Sequence, residues 1–232
     1  MLVVLAGRDD RAARRFVYGW DGEARLLTCR DLSTYGWRYS PGAPGGTAVI
    51  DERVVETAAI TAVLTRLPAV SERDLGAIAI EDRSYVAAEM TAYLSAWLSD
   101  LECPVLNPPS PYYLMGPHLR KEIWTQTATL LGIPVVPVRH SVPREPENGS
   151  DDRHRATITI TVIGRRTVGE VQQSVADAGL ALAQAAGAPL LRACFLLQGD
   201  EPALVDVDHW VDVADPAVAD AIASHLANGA PA

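Results

Sequence analysis

The chain has 232 residues, 48% of them hydrophobic and 21% charged, which is enough apolar material for a sizeable core and excludes wholesale disorder. Acidic residues outnumber basic ones 29 to 20, a formal charge of −9, and no basic stripe is visible, so no nucleic-acid partner is expected. Among the 20 basic residues Lys121 is the lone lysine and every other one is Arg, which excludes any mechanism needing two lysines from one chain.

The opening MLVVLAGRDD is an apolar run too short, and too soon ended by charge, for a signal peptide. No stretch reaches about 18 uninterrupted apolar residues, so no membrane span is expected. Cys29, Cys103 and Cys194 are widely spaced and form no CxxC pair, as befits reduced thiols of a cytoplasmic protein. Cys103, between Glu102 and Pro104, reads as a core thiol rather than a nucleophile. The Ala-rich, Arg-over-Lys usage points to a GC-rich bacterial genome.

Leu2 to Ala6 is a short apolar strand, followed by a turn at Gly7-Arg8-Asp9-Asp10 that caps a helix over Asp10 to Tyr18. Residues 24–29 form a second strand. The Gly/Pro-rich stretch Ser33 to Thr47 reads as a plain loop, because its glycines do not follow a strand and open a helix as a phosphate cradle would. Spacing predicts a helix over 52–66 and a buried strand at Leu75 to Ile80. Ser84 is placed to cap the next helix, in which Val86, Met90, Tyr93, Leu94, Trp97, Leu98 and Leu101 recur as a core stripe.

Pro104 to Leu106 gives a short strand ending in Asn107-Pro108-Pro109. A helix over about Pro117 to Leu131, with Leu119, Ile123, Leu130 and Leu131 as its apolar positions, stops at Gly132. Residues 133–138 are extended, and 141–155 is the clearest linker. The pattern then restarts with an antiparallel-type strand over Ala156 to Ile163 and an Ala-rich helix over Val171 to Ala186. A hairpin of Leu190–Leu197 and Ala203–Val207 follows, with a turn at Gly199–Pro202, and then a last helix over Pro216 to Leu226. The fold class is therefore α/β: a small open parallel sheet with flanking helices, then a smaller antiparallel α+β part with two helices on one face.

Asn107-Pro108-Pro109, Lys121 and Leu131-Gly132-Ile133-Pro134-Val135-Val136-Pro137 together resemble the end of the N-terminal domain of ATP-grasp enzymes. There a strand ends in Asn-x-Pro, a helix carries a lysine, and a Gly-[Leu/Ile/Phe]-x-[Val/Ile]-Pro turn follows. The upstream part is similar to the ATP-grasp ligases of the graspetide and microviridin type, in which a strand like Ile78-Ala79-Ile80 precedes an arginine and a helix bearing a glutamate, here Arg83 and Glu89. The strand Leu204-Val205-Asp206-Val207-Asp208, followed by Trp210, resembles the Leu-Glu-Val-Asn strand of the closing subdomain. The resemblance implies a pre-ATP-grasp-like domain over 1–140, the linker 141–155 in place of a lid, and a truncated ATP-grasp-like subdomain over 156–232. It also implies ATP and Mg²⁺ as cofactors, Lys121 and Arg155 as nucleotide-binding candidates, Asp206 and Asp208 as metal candidates, and Arg83 and Glu89 as substrate-binding candidates.

The departures are as informative. A family lid carries a second ATP-binding lysine, and 141–155 is too short for several strands of about 5–6 residues each. Asp206 and Asp208 match the family's Glu and Asn, but the position of the family's earlier Asp falls nearest Cys194, a poor ligand for a cation that prefers oxygen. Each site residue also has a plain reading. Lys121, between Arg120 and Glu122, fits a solvated helix face, Glu89 a solvated position, and Arg83 an ion pair with Glu81 or Asp82. Asp206 and Asp208 fit an acidic strand end as well as a cation site. No GxSxG is present, and the five histidines lack zinc spacing.

Two functional readings follow. One is a degenerate, lid-less ATP-grasp-like protein that serves as a binding or scaffold partner in peptide or natural-product tailoring. The other is a reduced carboxylate–amine ligase that forms an acyl phosphate and works as a homodimer or with a lid-bearing partner. A small-molecule enzyme using the cleft without ATP stands third.

Overall fold

A computed structural model describes residues 1–43, 45–137, 157–198 and 201–227. The expected linker 141–155, including Arg155, lies outside the described residues, as do Gly199 and Asp200 of the expected turn. The chain divides into two compact units. One is Met1–His118 with Gly187–Pro189 and Asp212–Ala232; the other is Leu119–Ala186 with Leu190–Val211.

The first unit is built on four parallel strands: β1 (Leu2–Ala6), β2 (Ala24–Leu27), β5 (Ala62–Arg66) and β6 (Val105–Leu106), in the order β2-β1-β5-β6. Every residue of β1 and β5 is buried, as expected of central parallel strands covered on both faces. Asp10 accepts a hydrogen bond from Ala13 N at 2.9 Å and so caps α1 (Arg11–Gly19). The other Asp10 oxygen accepts from Arg66 Nε at 2.8 Å, and both side chains are almost wholly buried, so the strand-end charge is neutralised where water cannot screen it. A short helix, α2 (Cys29–Leu32), follows β2, and α3 (Arg83–Ser99) buries Leu94, Trp97 and Leu98 in the core, as the expected stripe requires.

Three expectations fail in this unit. The helix over 52–66 is replaced by a hairpin, β3 (Thr47–Ile50) with β4 (Arg53–Glu56), and then by β5. Asp51 and Glu52 take positive φ, 52° and 60°, at the hairpin turn, and Asp31 accepts from Glu52 N at 2.9 Å. Such a turn usually advertises itself as Asn-Gly, and Asp-Glu does not. The second failure follows from the first. The strand place next to β1 goes to Ala62–Arg66, whose apolar start Ala62-Val63-Leu64, read together with Val54, Val55 and Ile60, mimics a helix face. The segment 75–80 is accordingly a turn, with Ile78 N donating to Leu75 O and Ile80 75% exposed. Third, α3 begins at Arg83 with Asp82 at its N-cap, so Ser84 lies inside the first turn.

The second unit holds four antiparallel strands: β7 (Thr157–Ile163), β8 (Arg166–Val168), β9 (Leu190–Gln198) and β10 (Glu201–Asp208), in the order β10-β9-β7-β8. The Ala-rich α5 (Gln173–Ala186) packs on β7, where Ile160 and Val162 reach the backbone at Gly179. The last helix, α6 (Pro216–Ala227), belongs to the first unit. It has Pro at its first position, and Asp215 accepts from Ala217 N at 2.8 Å.

Against β10 packs α4 (Lys121–Leu130). Its inward residues are Trp124 and Ala128. Of the expected apolar positions, Leu119 precedes the helix and is half-buried, while Ile123, Leu130 and Leu131 are 43%, 81% and 42% exposed and lie on its outer face. Trp124, four residues before Ala128 on the same face, anchors the helix. The helix ends as expected at Gly132, φ 73°, with Gly132 N bonded to Thr129 O and Ile133 N to Ala128 O. The freed chain then lies parallel to β10: Leu204 N donates to Pro134 O at 2.7 Å and Val136 N to Leu204 O at 2.9 Å.

Candidate functional site

The candidate site is one face of the second unit's sheet. Since Ile160 and Val162 point toward α5, their neighbours Thr159 and Thr161 lie on the opposite face. The antiparallel register extends this face across three strands in two rows. Thr159 stands opposite Cys194, which stands opposite Asp206; Thr161 stands opposite Arg192, which stands opposite Asp208. Directly opposed side chains on one face are close enough to interact.

The rows depend on a bulge. From the hairpin turn to Leu204, β10 pairs with β9 in one register, and at Asp206 it has slipped by a residue. The bulged residue is Val205, and bulges re-aim the side chains that follow them. Continued without the slip, the register would set Asp208 across from Leu191 rather than Arg192.

Both oxygens of Asp208 are engaged. Oδ2 accepts from Arg192 Nε at 3.0 Å and from Nη2 at 2.5 Å, and Oδ1 accepts from Trp210 N at 2.7 Å. Asp206 is exposed, with the Cys194 thiol across from it. Mg²⁺ needs a near-octahedral set of oxygens. The donors here are one exposed carboxylate, one carboxylate held by a guanidinium, and a sulfur, which do not fit that ion. Among the described residues no group of three His, Cys, Asp or Glu side chains is placed to hold a metal.

The remaining expected residues are dispersed. Lys121 is exposed at the first position of α4, in the same unit as the rows. Arg155 lies outside the described residues. Arg83 and Glu89 belong to the first unit. Arg83 donates through Nε to Ile78 O at 2.9 Å and through Nη2 to Gly76 O at 3.2 Å, pinning the 76–78 turn; Glu89 is exposed on α3. Burial pushes the Cys29 thiol up to about 12, with Asp74 adding to the effect, and burial likewise raises Cys103, so both are unreactive core thiols at neutral pH. Sequence reasoning missed Arg192. Counting pairs back from the hairpin would have found it only if the bulge had been foreseen.

No family model and no curated protein matches the chain. Solved structures do. The macrocyclase MdnC of Microcystis aeruginosa, bound with the precursor peptide MdnA, superposes with a TM-score of 0.73 at 14% identity over 98% of this chain and 100% of that one. A ribosomal-peptide-associated ATP-grasp ligase of Chryseobacterium gregarium, in complex with ADP and a leader and core peptide, gives 0.67 at 12% identity over 99% and 97%. An ATP-grasp RimK domain protein of Sphaerobacter thermophilus gives 0.54 at 16% identity over 98% and 100%. The chain has the ATP-grasp fold that the sequence resemblance implied. Among the described residues no helix is long and apolar enough to cross a membrane.

Proposed function

We propose that this chain is a degenerate, lid-less ATP-grasp protein that binds a peptide or a nucleotide as a partner in peptide tailoring and does not ligate by itself. The observation that carries the reading is the state of the two metal-candidate carboxylates: Asp206 faces a thiol, and both oxygens of Asp208 are already taken. An acyl-phosphate route needs cations on the transferring phosphoryl group, usually Mg²⁺ together with Lys or Arg, and a closed, dry site. The chain offers a single lysine and a 141–155 segment too short for a lid. Peptide tailoring is supported by the fold's likeness to structures that hold precursor peptides.

The test is incubation of the purified chain with Mg²⁺, ATP and a candidate precursor peptide, reading phosphate release and loss of water from the peptide by mass spectrometry. Peptide binding without either product is expected. Saturable micromolar ATP binding that Lys121→Ala removes, together with turnover, would sink the reading. A second reading, a ligase completed by another subunit, draws on Lys121 at the head of α4, the place of the family's first lysine. It predicts that turnover appears only when a lid-bearing ATP-grasp partner is added.

A further inference from the structure

The polar face of the second unit combines two carboxylates with one guanidinium in a fixed register. Arg192 and Asp208 sit directly across from each other on β9 and β10, with side chains 47% and 32% exposed. Both bonds from Arg192 end on the same Asp208 oxygen, so the pair uses only part of the guanidinium's five donors. Among the described residues no other acceptor takes the rest. Asp208 is in turn held from the other side by Trp210 N. The carboxylate is thus locked between a backbone donor and a fixed positive charge, and Asp206 lies two residues along on the same face.

We infer that the Arg192 guanidinium occupies the place of a divalent cation on this face, so that the face carries its positive charge as a side chain and does not take up Mg²⁺ or Mn²⁺. The positive charge that a metal would bring to Asp208 is supplied by a covalently attached side chain, a planar fork whose donors match a carboxylate. A cation arriving from solvent would have to displace Arg192 from one Asp208 oxygen and the Trp210 amide from the other. It would then find a thiol where a third oxygen is needed. Conversely, the fold itself permits a cation here. Freeing Asp208 and placing a carboxylate at position 194 would bring three carboxylates together on adjacent strands at one end of the sheet.

The inference rests on the reading of this face as a degenerate ATP-grasp site, and its test is separable from that reading because it uses Mn²⁺ alone, without nucleotide or peptide. Free Mn²⁺ is titrated by electron paramagnetic resonance against the intact chain, and against the Arg192→Ala/Cys194→Asp double variant and the Arg192→Gln single variant. Thermal melts establish that each variant is folded. The expected result is no saturable Mn²⁺ binding by the unmodified chain and one saturable site in the double variant, lost again when Asp206→Asn is added. Arg192→Gln keeps a side chain of similar length and serves if the double variant does not fold; it should take up Mn²⁺ in an Asp206-dependent way where the unmodified chain takes up none, and a folded Arg192→Gln chain indistinguishable from the unmodified one overturns the inference. Saturable binding by the unmodified chain that Asp206→Asn or Asp208→Asn removes overturns the inference. A folded double variant that gains no site also overturns it. A chain that binds no Mn²⁺ alone yet turns over Mg–ATP would defeat the proposed scaffold role while leaving the inference about Arg192 standing.

Discussion

Single side chains decide how the Gly/Pro-rich stretch and the polar face behave. In the stretch, Gly46 has φ 129°, and a Cβ there would lie 2.3 Å from the Arg38 carbonyl oxygen, which is backbone and cannot rotate away. Arg38 and Thr47 exchange backbone hydrogen bonds at 2.9 Å directly beside it, and Gly46 O accepts from Thr57 N. The glycine is therefore required by local packing, in keeping with the plain-loop reading. Gly46→Ala should lower stability by about 1–3 kcal/mol, since both the backbone conformation and the contact are unfavourable. A denaturant midpoint unchanged from the parent would contradict this. On the polar face, Asp206 and Asp208 were legible in the sequence as a pair, but what stands opposite each of them was not. The partner of Asp208 lies 16 residues earlier in the chain, brought across by a hairpin whose register the sequence does not reveal.

At the scale of elements, α4 is the informative case. Its end was legible, because Gly132 and Pro134 obey local rules that operate over a single turn. Its buried face was not, because three large aliphatic residues lie on the side that the second unit leaves open. Trp124, 3% exposed, packs toward β10 with its ring centroid 6.3 Å from that of His209. Trp124→Ala should cost about 3–5 kcal/mol, the usual penalty for emptying a buried aromatic site. Leu130→Ala, at a position 81% exposed, should change stability by no more than about 0.5 kcal/mol. Chemical denaturation of the two variants side by side tests this, and the face expected from the sequence alone demands the opposite order. The region 52–66 failed for a related reason. Contiguous apolar residues in a central parallel strand carry no period, and beside a short hairpin they imitate helical spacing.

Across the whole molecule, pH reads the burial pattern of the first unit. Burial, with a lesser contribution from Asp74, holds the Cys29 thiol up to about 12 against an ordinary 9.0. Desolvation and the hydrogen bond to Asp100 hold the Tyr39 hydroxyl up to about 12 against 10.0. Each folded value is raised, so the folded state binds the proton more tightly than the unfolded chain. The stability they confer is complete below the ordinary values and is lost as pH climbs toward about 12. On the acid side the order reverses. Gly42 N and then the Tyr39 hydroxyl, both donating to Asp100, hold its carboxyl below the ordinary 3.8, and that contribution disappears as pH falls beneath this value. Denaturant midpoints should therefore fall as pH rises from 9.0 toward about 12, and Cys29→Ala should flatten that decline. An alkaline slope identical in the variant and the parent would exclude Cys29 as a contributor.

The chain's residues alone pointed to the α/β class with a parallel sheet followed by an antiparallel one, the place of the lone lysine at the head of α4, the Gly132 helix stop and the hairpin of the second sheet. All of these rest on local rules: periodicity within an element, a cap, a turn. The tertiary structure alone decided which run becomes the strand beside β1, which face of α4 is buried, and what stands opposite Asp208. Those outcomes depend on competition between distant segments for one place in a sheet, and on a one-residue bulge at Val205 that moves everything after it. That slip sets Arg192 against Asp208 and Cys194 against Asp206, so that of two acidic residues which fit an acidic strand end as well as a cation site, one is held in an ion pair and the other faces a thiol.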